Sequence, residues 1–170
     1  MIQSLLADLL SQPGISPLLL VIGIVMYGAW TGAYILIIRQ CFRERTYGLP
    51  FVAICLDVCW EFIFAFQLVT QLHWFFVWGN RLWLVFDLVM FTQMMLYGPQ
   101  SQTVPWLRRH FRKVALAVFP VAGIAIYLFS LYTGDRKGVL SSFTINVVVS
   151  SLYIAMFLQR PGLLGQSVWI

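Results

Sequence analysis

The chain has 170 residues, of which 61% are hydrophobic and 10% are charged. A composition this apolar excludes a soluble globular domain, and with it the basic surface of a soluble nucleic-acid-binding module. The formal net charge of +5 therefore needs another explanation, which the predicted membrane topology supplies.

The apolar segments predict an all-α, multi-pass transmembrane helix bundle that forms one domain over residues 1–170. Apolar side chains of residues 1–12 recur on one helical stripe, which predicts a short interfacial helix before Pro13-Gly14 turns the chain inward. Apolar runs long enough to cross ~30 Å of hydrocarbon then predict five spans. Their expected bounds are about 17–38, 49–70, 77–97, 114–132 and 139–158.

Lys and Arg are unevenly distributed over the connections between these spans. The predicted topology puts eight of the eleven on one side of the membrane, namely Arg39, Arg43, Arg45, Arg108, Arg109, Arg112, Lys113 and Arg160. The other side receives Arg81, Arg136 and Lys137. The positive-inside rule places the larger group in the cytosol, so the N-terminus is expected outside or in a lumen. The expected partner of the basic residues is the lipid bilayer with its anionic headgroups, not nucleic acid.

Three of the six acidic residues lie inside apolar segments, and two of these are Asp57 and Glu61. An ionisable side chain at bilayer depth costs about 2.5–3.5 kcal/mol on insertion scales, so it indicates a functional site by default. The four-residue spacing puts both carboxyls on one face of a helix. Burial and a neighbouring carboxyl both favour the protonated form, so we expect a general acid here. The alternative is a proton-sharing contact that only holds two helices together.

The third span carries Asp87, with Trp83 on the same helical face. This acid is expected either to share a cavity with Glu61 or to be a structural acid paired with Asn146, Tyr34 or Arg81. Ser142, Asn146 and Ser150 recur every fourth residue of the fifth span. That stripe predicts either hydrogen bonds between helices or the wall of a polar pocket, and in both cases Asn146 faces the interior.

Aromatic side chains make up 16% of the chain, and several lie close to the acids. Rings in a dry pocket stabilise a cation through their negative faces, so Trp60, Tyr34 and Trp83 are candidate substrate-binding residues together with Asn146. No metal site and no cofactor are expected. Cys55 and Cys59 lack a third and a fourth ligand, because the two histidines fall in connections on opposite sides of the membrane.

The segment CFRERTYGLPFVAICLDVCWEFIFAF resembles the second-helix signature of the small integral-membrane terpene cyclases of the paspaline and pyripyropene type. The match consists of the basic RERTYG turn, the run of small residues and cysteines, and Trp60-Glu61. Asp87 within LWLVFDLVM, Tyr97-Gly98-Pro99, Pro105 and Gly165-Gln166-Ser167 also follow the layout of that family. The similarity extends over roughly residues 17–170.

The resemblance implies a membrane enzyme of meroterpenoid or indole-diterpene biosynthesis that needs no metal. Glu61 would protonate a terminal epoxide or alkene of a prenylated aromatic or indole substrate, and ring closure would follow through a cation–olefin cascade. The substrate would be lipid-soluble, and a prenyltransferase and an epoxidase would be pathway partners. The expected location is the endoplasmic reticulum of a eukaryote or the cytoplasmic membrane of a bacterium.

Two departures from the family pattern bear on these expectations. The family usually has Asn at the position of Asp57, so the acid pair is partly a feature of this chain. The family fold has seven helices with a second important acid in the last, whereas the sequence ends at Ile170 after five predicted spans. The 170-residue chain alone is therefore expected to be inactive. The alternative functions are a small proton-coupled transporter and a structural membrane protein.

Overall fold

The computed structural model describes residues 2–11, 16–66, 70–160 and 165–166. These residues form six α-helices and one short 3₁₀ helix. They are α1 (Ile2–Leu10), α2 (Pro17–Glu44), α3 (Phe51–Ala65), α4 (Trp74–Tyr97), the 3₁₀ helix (Gly98–Ser101), α5 (Pro105–Thr133) and α6 (Val139–Gln159). Within the described ranges there is no β-strand, so the prediction of an all-α fold is confirmed.

Four helices of the described chain are long and apolar enough to cross a membrane: Leu20–Glu44, Trp74–Ser101, Pro105–Thr133 and Val139–Gln159. They correspond to the first, third, fourth and fifth predicted spans, which supports a multi-pass membrane protein. The second predicted span, about 49–70, corresponds to α3, which has 15 residues. At 1.5 Å per residue α3 is about 22 Å long, shorter than the hydrocarbon layer of about 30 Å.

Residues 1–36 and residues 37–170 form separate compact units, and the boundary falls inside α2. The first unit contains α1, which lies where the interfacial helix was predicted, and the first part of α2. In that unit the rings of Trp30 and Tyr34 pack edge to face, with centroids 6.4 Å apart. The second unit contains the last turns of α2 and all later helices, and it carries the three acids of the apolar segments.

Helix α3 is the central element of the second unit, because it packs against α4, α5 and α6. Small residues permit a close approach to α5. The thiols of Cys55 and Cys59 lie 3.8 Å from the carbonyl oxygen of Ala115 and 3.3 Å from that of Phe119, respectively. The adjoining core consists of Cys55, Cys59, Ile63, Phe64, Ala122, Ile126 and Ile145.

Two glycines define the turn between α5 and α6, since both have backbone angles that favour glycine. Gly134 ends α5 with φ of 68°, and Gly138 precedes α6 with φ of 73°. At Gly138 a side chain is also excluded by space, because a Cβ atom would lie 2.7 Å from the indole of Trp60. This turn therefore brings the start of α6 directly onto α3.

One end of the second unit is held together by polar contacts around Tyr47. The guanidinium of Arg160 donates to the carbonyl oxygen of Tyr47 at 2.7 Å and stacks over its ring at 4.4 Å. The phenol oxygen of Tyr47 accepts from Ser101 at 3.4 Å and from Gln102 at 3.3 Å. The connections after α2 and α4 and the end of α6 therefore meet at one end of this unit.

Candidate active site

Helices α3 and α4 bring three acidic side chains together inside the second unit. Glu61 on α3 is 5% exposed, Asp87 on α4 is 0% exposed, and Asp57 is partly buried one turn before Glu61. The carboxyls of Asp87 and Asp57 are both close enough to that of Glu61 to interact with it electrostatically. The residues that the sequence analysis selected for catalysis thus lie close together, across the contact between the two helices.

Glu61 occupies a buried position in which one of its oxygens is available to a ligand. Its Oε2 atom is buried and has no hydrogen-bond partner in the part of the chain that the structure describes. A buried polar atom without a partner costs about 1–3 kcal/mol, and native proteins rarely retain one without a use for it. In its protonated form this carboxyl can donate to a ligand that reaches the interior.

Trp60 has contacts that anchor α6 to α3. Its indole N–H donates to the hydroxyl of Ser141 at 2.9 Å, and its ring packs on Phe64 with centroids 4.7 Å apart. Adjacent residues of a helix project about 100° apart, so Trp60 and Glu61 point in different directions. The substrate-binding role of Trp60 stays a prediction, and these contacts give the side chain a structural role as well.

The other predicted binding residues differ in where they lie. Trp83 is half-buried on α4, one turn before Asp87, whereas Tyr34 belongs to the unit of residues 1–36. Asn146 is exposed, so the prediction that it faces the interior is wrong. The inward face of α6 is defined by Ser141, Ile145 and Met156, and Asn146 lies about 100° around the helix from Ile145.

Two buried polar residues of α4 were missed by the sequence analysis. Asn80 and Gln93 are each 1% exposed, and the side-chain amide of Gln93 donates to the carbonyl oxygen of Ile38 at 2.9 Å. Asn80 lies seven residues before Asp87, a spacing that puts both on the same helical face. That spacing was available in the sequence, but Asn80, which lies near the start of the third predicted span, was not considered as a site residue.

An apolar groove lies beside α3. Its volume is about 760 Å³, and it is lined by apolar residues of α3, α4 and α5, including Val58, Phe62, Leu84 and Phe119. None of the three acids is among its described lining residues, although Phe62 and Leu84 neighbour Glu61 and Asp87 along their helices. The groove is suited to an apolar chain and contributes no acid.

The family model of the Pyr4-like transmembrane terpene cyclases matches residues 13–170. The Pyr4-family terpene cyclase mfmH of Annulohypoxylon moriforme is 28% identical over 178 residues, which cover 95% of this chain and 69% of that protein. No solved structure matches the chain.

Two further relatives are also named terpene cyclases. The terpene cyclase macJ of Penicillium terrestre is 26% identical over 152 residues, covering 82% of this chain and 56% of its own length. The terpene cyclase trt1 of Aspergillus terreus is 29% identical over 97 residues, covering 56% of this chain and 47% of its own length. The chain thus spans between about half and about two thirds of the length of these relatives.

Proposed function

Since the chain belongs to the Pyr4-like transmembrane terpene cyclases, we propose that its protein closes rings in a prenylated aromatic or indole substrate after protonating a terminal epoxide or alkene. The observation that carries the proposal is the buried carboxyl of Glu61, whose Oε2 lacks a partner in the described chain. It lies beside two further carboxyls in an apolar interior. Such a position suits a proton donor to a hydrocarbon chain.

The reaction is an isomerisation in which the proton is returned. For an epoxide, the proton passes from Glu61 to the ring oxygen while the bond from that oxygen to the more substituted carbon breaks. The oxygen becomes a hydroxyl, and the electron-deficient carbon is attacked by the nearest double bond of the prenyl chain. Each new carbon–carbon bond moves the positive charge along, until a carboxylate removes a proton from carbon and leaves a double bond.

Asp57 and Asp87 have supporting roles in this proposal. Both interact electrostatically with Glu61, so they influence where the shared protons reside and which carboxylate accepts the final one. Exclusion of water is the other requirement, because water would capture the cation before the rings close. The packing of α3 between α4, α5 and α6 supplies a dry setting.

The substrate and the location follow from the same chemistry. A prenylated aromatic or indole compound is lipid-soluble and is expected to enter from the bilayer. A prenyltransferase must attach the chain, and an epoxidase must supply the epoxide. We propose the endoplasmic reticulum as the location in a eukaryote and the cytoplasmic membrane in a bacterium, with the N-terminus outside or lumenal.

The test is Glu61→Gln in the full-length protein, expressed in membranes and supplied with an epoxyfarnesyl phenol or indole. The amide keeps the shape of the carboxyl and loses the transferable proton, so cyclised product should fall at least about hundredfold. Asp57→Asn restores the usual family residue and should reduce the rate less than about tenfold. Product is measured by mass spectrometry and NMR, and folding by thermal unfolding.

The matched control is Asp8→Asn, the same change of acid to amide at an exposed position of α1. It should cyclise at the wild-type rate. Equal product from the wild type and from a folded Glu61→Gln variant would remove Glu61 from the role of acid. A wild-type protein that cyclises none of these substrates would contradict the proposed substrate class.

A further inference from the structure

Asn80 is the second polar side chain on the face of α4 that carries Asp87. The buried residues of this helix are Val77, Asn80, Leu84, Asp87, Met90, Gln93 and Met94, and they recur at the spacing of a helix face packed against neighbours. Most of them are apolar. Burying an asparagine at such a position lowers the stability of the fold unless its amide has a hydrogen-bond partner.

The amide nitrogen of Asn80 lacks such a partner within the described ranges. The residue is 1% exposed, and its Nδ2 atom is buried without a hydrogen bond to any described residue. The amide therefore does not donate to Glu61 or to Asp87 in this structure. A buried donor in this condition destabilises the protein, which indicates that something other than stability retains it.

The contact between α3 and α4 places Asn80 within about two turns of Glu61 along the helices. The guanidinium of Arg81, the next residue, donates to the carbonyl oxygen of Ala65 at 3.0 Å. Ala65 lies one turn beyond Glu61 on α3, and Glu61 interacts in turn with Asp87, two turns beyond Asn80. Glu61 is thus bracketed by Asn80 and Asp87 along α4.

We propose that Asn80 and Glu61 together form a binding site for one ether-type oxygen of an otherwise apolar ligand. The two helices then contribute one donor each, the amide N–H from α4 and the carboxyl O–H from α3. An epoxide or cyclic ether oxygen has lone pairs for two donors and offers no proton, which fits this pair. This inference rests on the proposed function, because it names the group by which the substrate is held at the same acid.

The contribution of Asn80 follows from the reaction. A hydrogen bond from a fixed amide orients a lone pair of the oxygen toward the proton of Glu61. As the bond between carbon and oxygen breaks, electron density accumulates on the oxygen, and the same hydrogen bond becomes stronger. Asn80 transfers no proton, so it binds and positions the oxygen while Glu61 remains the acid.

The experiment compares two unreactive ligands that differ in one atom. The first is a farnesyl phenol that carries a tetrahydrofuran ring in place of the terminal epoxide, and the second carries a cyclopentane ring there. Both are titrated into the full-length protein in lipid nanodiscs, as wild type and as Asn80→Leu. The wild type should bind the ether more tightly than the hydrocarbon. This preference should fall at least about threefold in the variant, the effect of losing one neutral hydrogen bond.

Activity and stability provide the second measurement. Asn80→Leu keeps a similar volume and removes the unpaired amide, so its unfolding temperature should equal or exceed that of the wild type. Its kcat/KM on the epoxide should nevertheless fall at least about tenfold. The control is Thr92→Val, another change from polar to apolar on α4. The hydroxyl of Thr92 is exposed and donates to the carbonyl oxygen of Leu88 in its own helix. This control should leave kcat/KM and the ether preference unchanged.

An unchanged ether preference in Asn80→Leu would overturn the inference, as would unchanged activity. If the leucine variant does not fold, Asn80→Ala answers the same question without added bulk. The failure of this inference is distinguishable from that of the proposed function. A fully active Asn80→Leu variant beside an inactive Glu61→Gln variant refutes the oxygen site alone, whereas an active Glu61→Gln variant refutes the acid.

Discussion

Helices α3 and α6 both carry polar residues four positions apart, but the two sets differ in burial. On α3 the pair is Asp57 and Glu61, and Glu61 is buried between packed helices. On α6 the set includes Asn146 and Ser150, and both are exposed. A four-residue period identifies a face of a helix, but it does not say whether that face points inward. Whether the face points inward depends on the residues around it, which determine where other helices can pack.

The neighbouring residues explain the difference. Around Glu61 the small side chains of α3 allow α5 to come close, so the helix is surrounded on several sides. On α6 the inward face starts with Ser141, which receives the indole N–H of Trp60, and continues through Ile145. Trp60, Gly138 and Ser141 therefore specify the contact between α3 and α6. The polar residues Asn146 and Ser150 are not part of this contact and stay exposed.

Among variants at the contact between α3 and α6, Gly138→Ala should cause the largest loss in the free energy of unfolding. The substitution adds a Cβ atom 2.7 Å from the indole of Trp60 at a residue whose φ is 73°. The backbone strain costs about 1–2 kcal/mol, and the clash with Trp60 and Phe64 adds to it. We expect a total loss of about 3 kcal/mol in the free energy of unfolding. Reversible unfolding in detergent measures it.

The matched control for that prediction is Gly134→Ala. Gly134 has φ of 68°, but a Cβ atom there meets nothing within 4 Å. The loss should therefore be limited to the strain of about 1–2 kcal/mol. Equal losses at the two glycines would mean that Gly138 is retained for its backbone angle alone, and that the close contact with Trp60 contributes nothing.

Much of this fold could be predicted from sequence, because the bilayer limits the possible structures. Apolar length identified four helices, and charged residues continue some of them beyond the predicted spans. Helix α5 begins at Pro105, before the predicted start of the span at about 114, since the Arg-rich stretch stays helical and Arg112 donates to the carbonyl oxygen of Met95 at 2.8 Å. Hydropathy is insensitive to such contacts, because it registers only the charge of Arg112.

The candidate site could be predicted only in part. Glu61 and Asp87 are conspicuous as acids in apolar runs, and the structure brings them together. Asn80 was missed, because hydropathy does not show whether a polar residue near the start of a span is buried. Asn146 was misplaced, because no sequence period distinguishes the inward face of α6 from the outward one when both contain apolar residues.

A smaller effect should come from the hydrogen bond between Trp60 and Ser141. Trp60→Phe and Ser141→Ala each remove the 2.9 Å bond from the indole nitrogen to the hydroxyl. Each should lower the free energy of unfolding by about 1 kcal/mol. The double variant should lose less than the sum, with a coupling energy of about 1 kcal/mol between the two positions. Strictly additive losses would show that the bond does not stabilise the contact between α3 and α6.

The smallest effect should come from Asn146→Leu, on the outward face of α6. An exposed side chain has similar surroundings in the folded protein and in the separated helix, so its replacement changes little. We expect the free energy of unfolding in nanodiscs to change by no more than about 0.5 kcal/mol. Asn146→Ala, which adds no bulk, should behave in the same way. A loss above about 1 kcal/mol in both variants would mean that the amide of Asn146 is hydrogen-bonded inside the protein. The polar stripe of α6 would then belong to the interior after all, and the contrast with α3 would disappear.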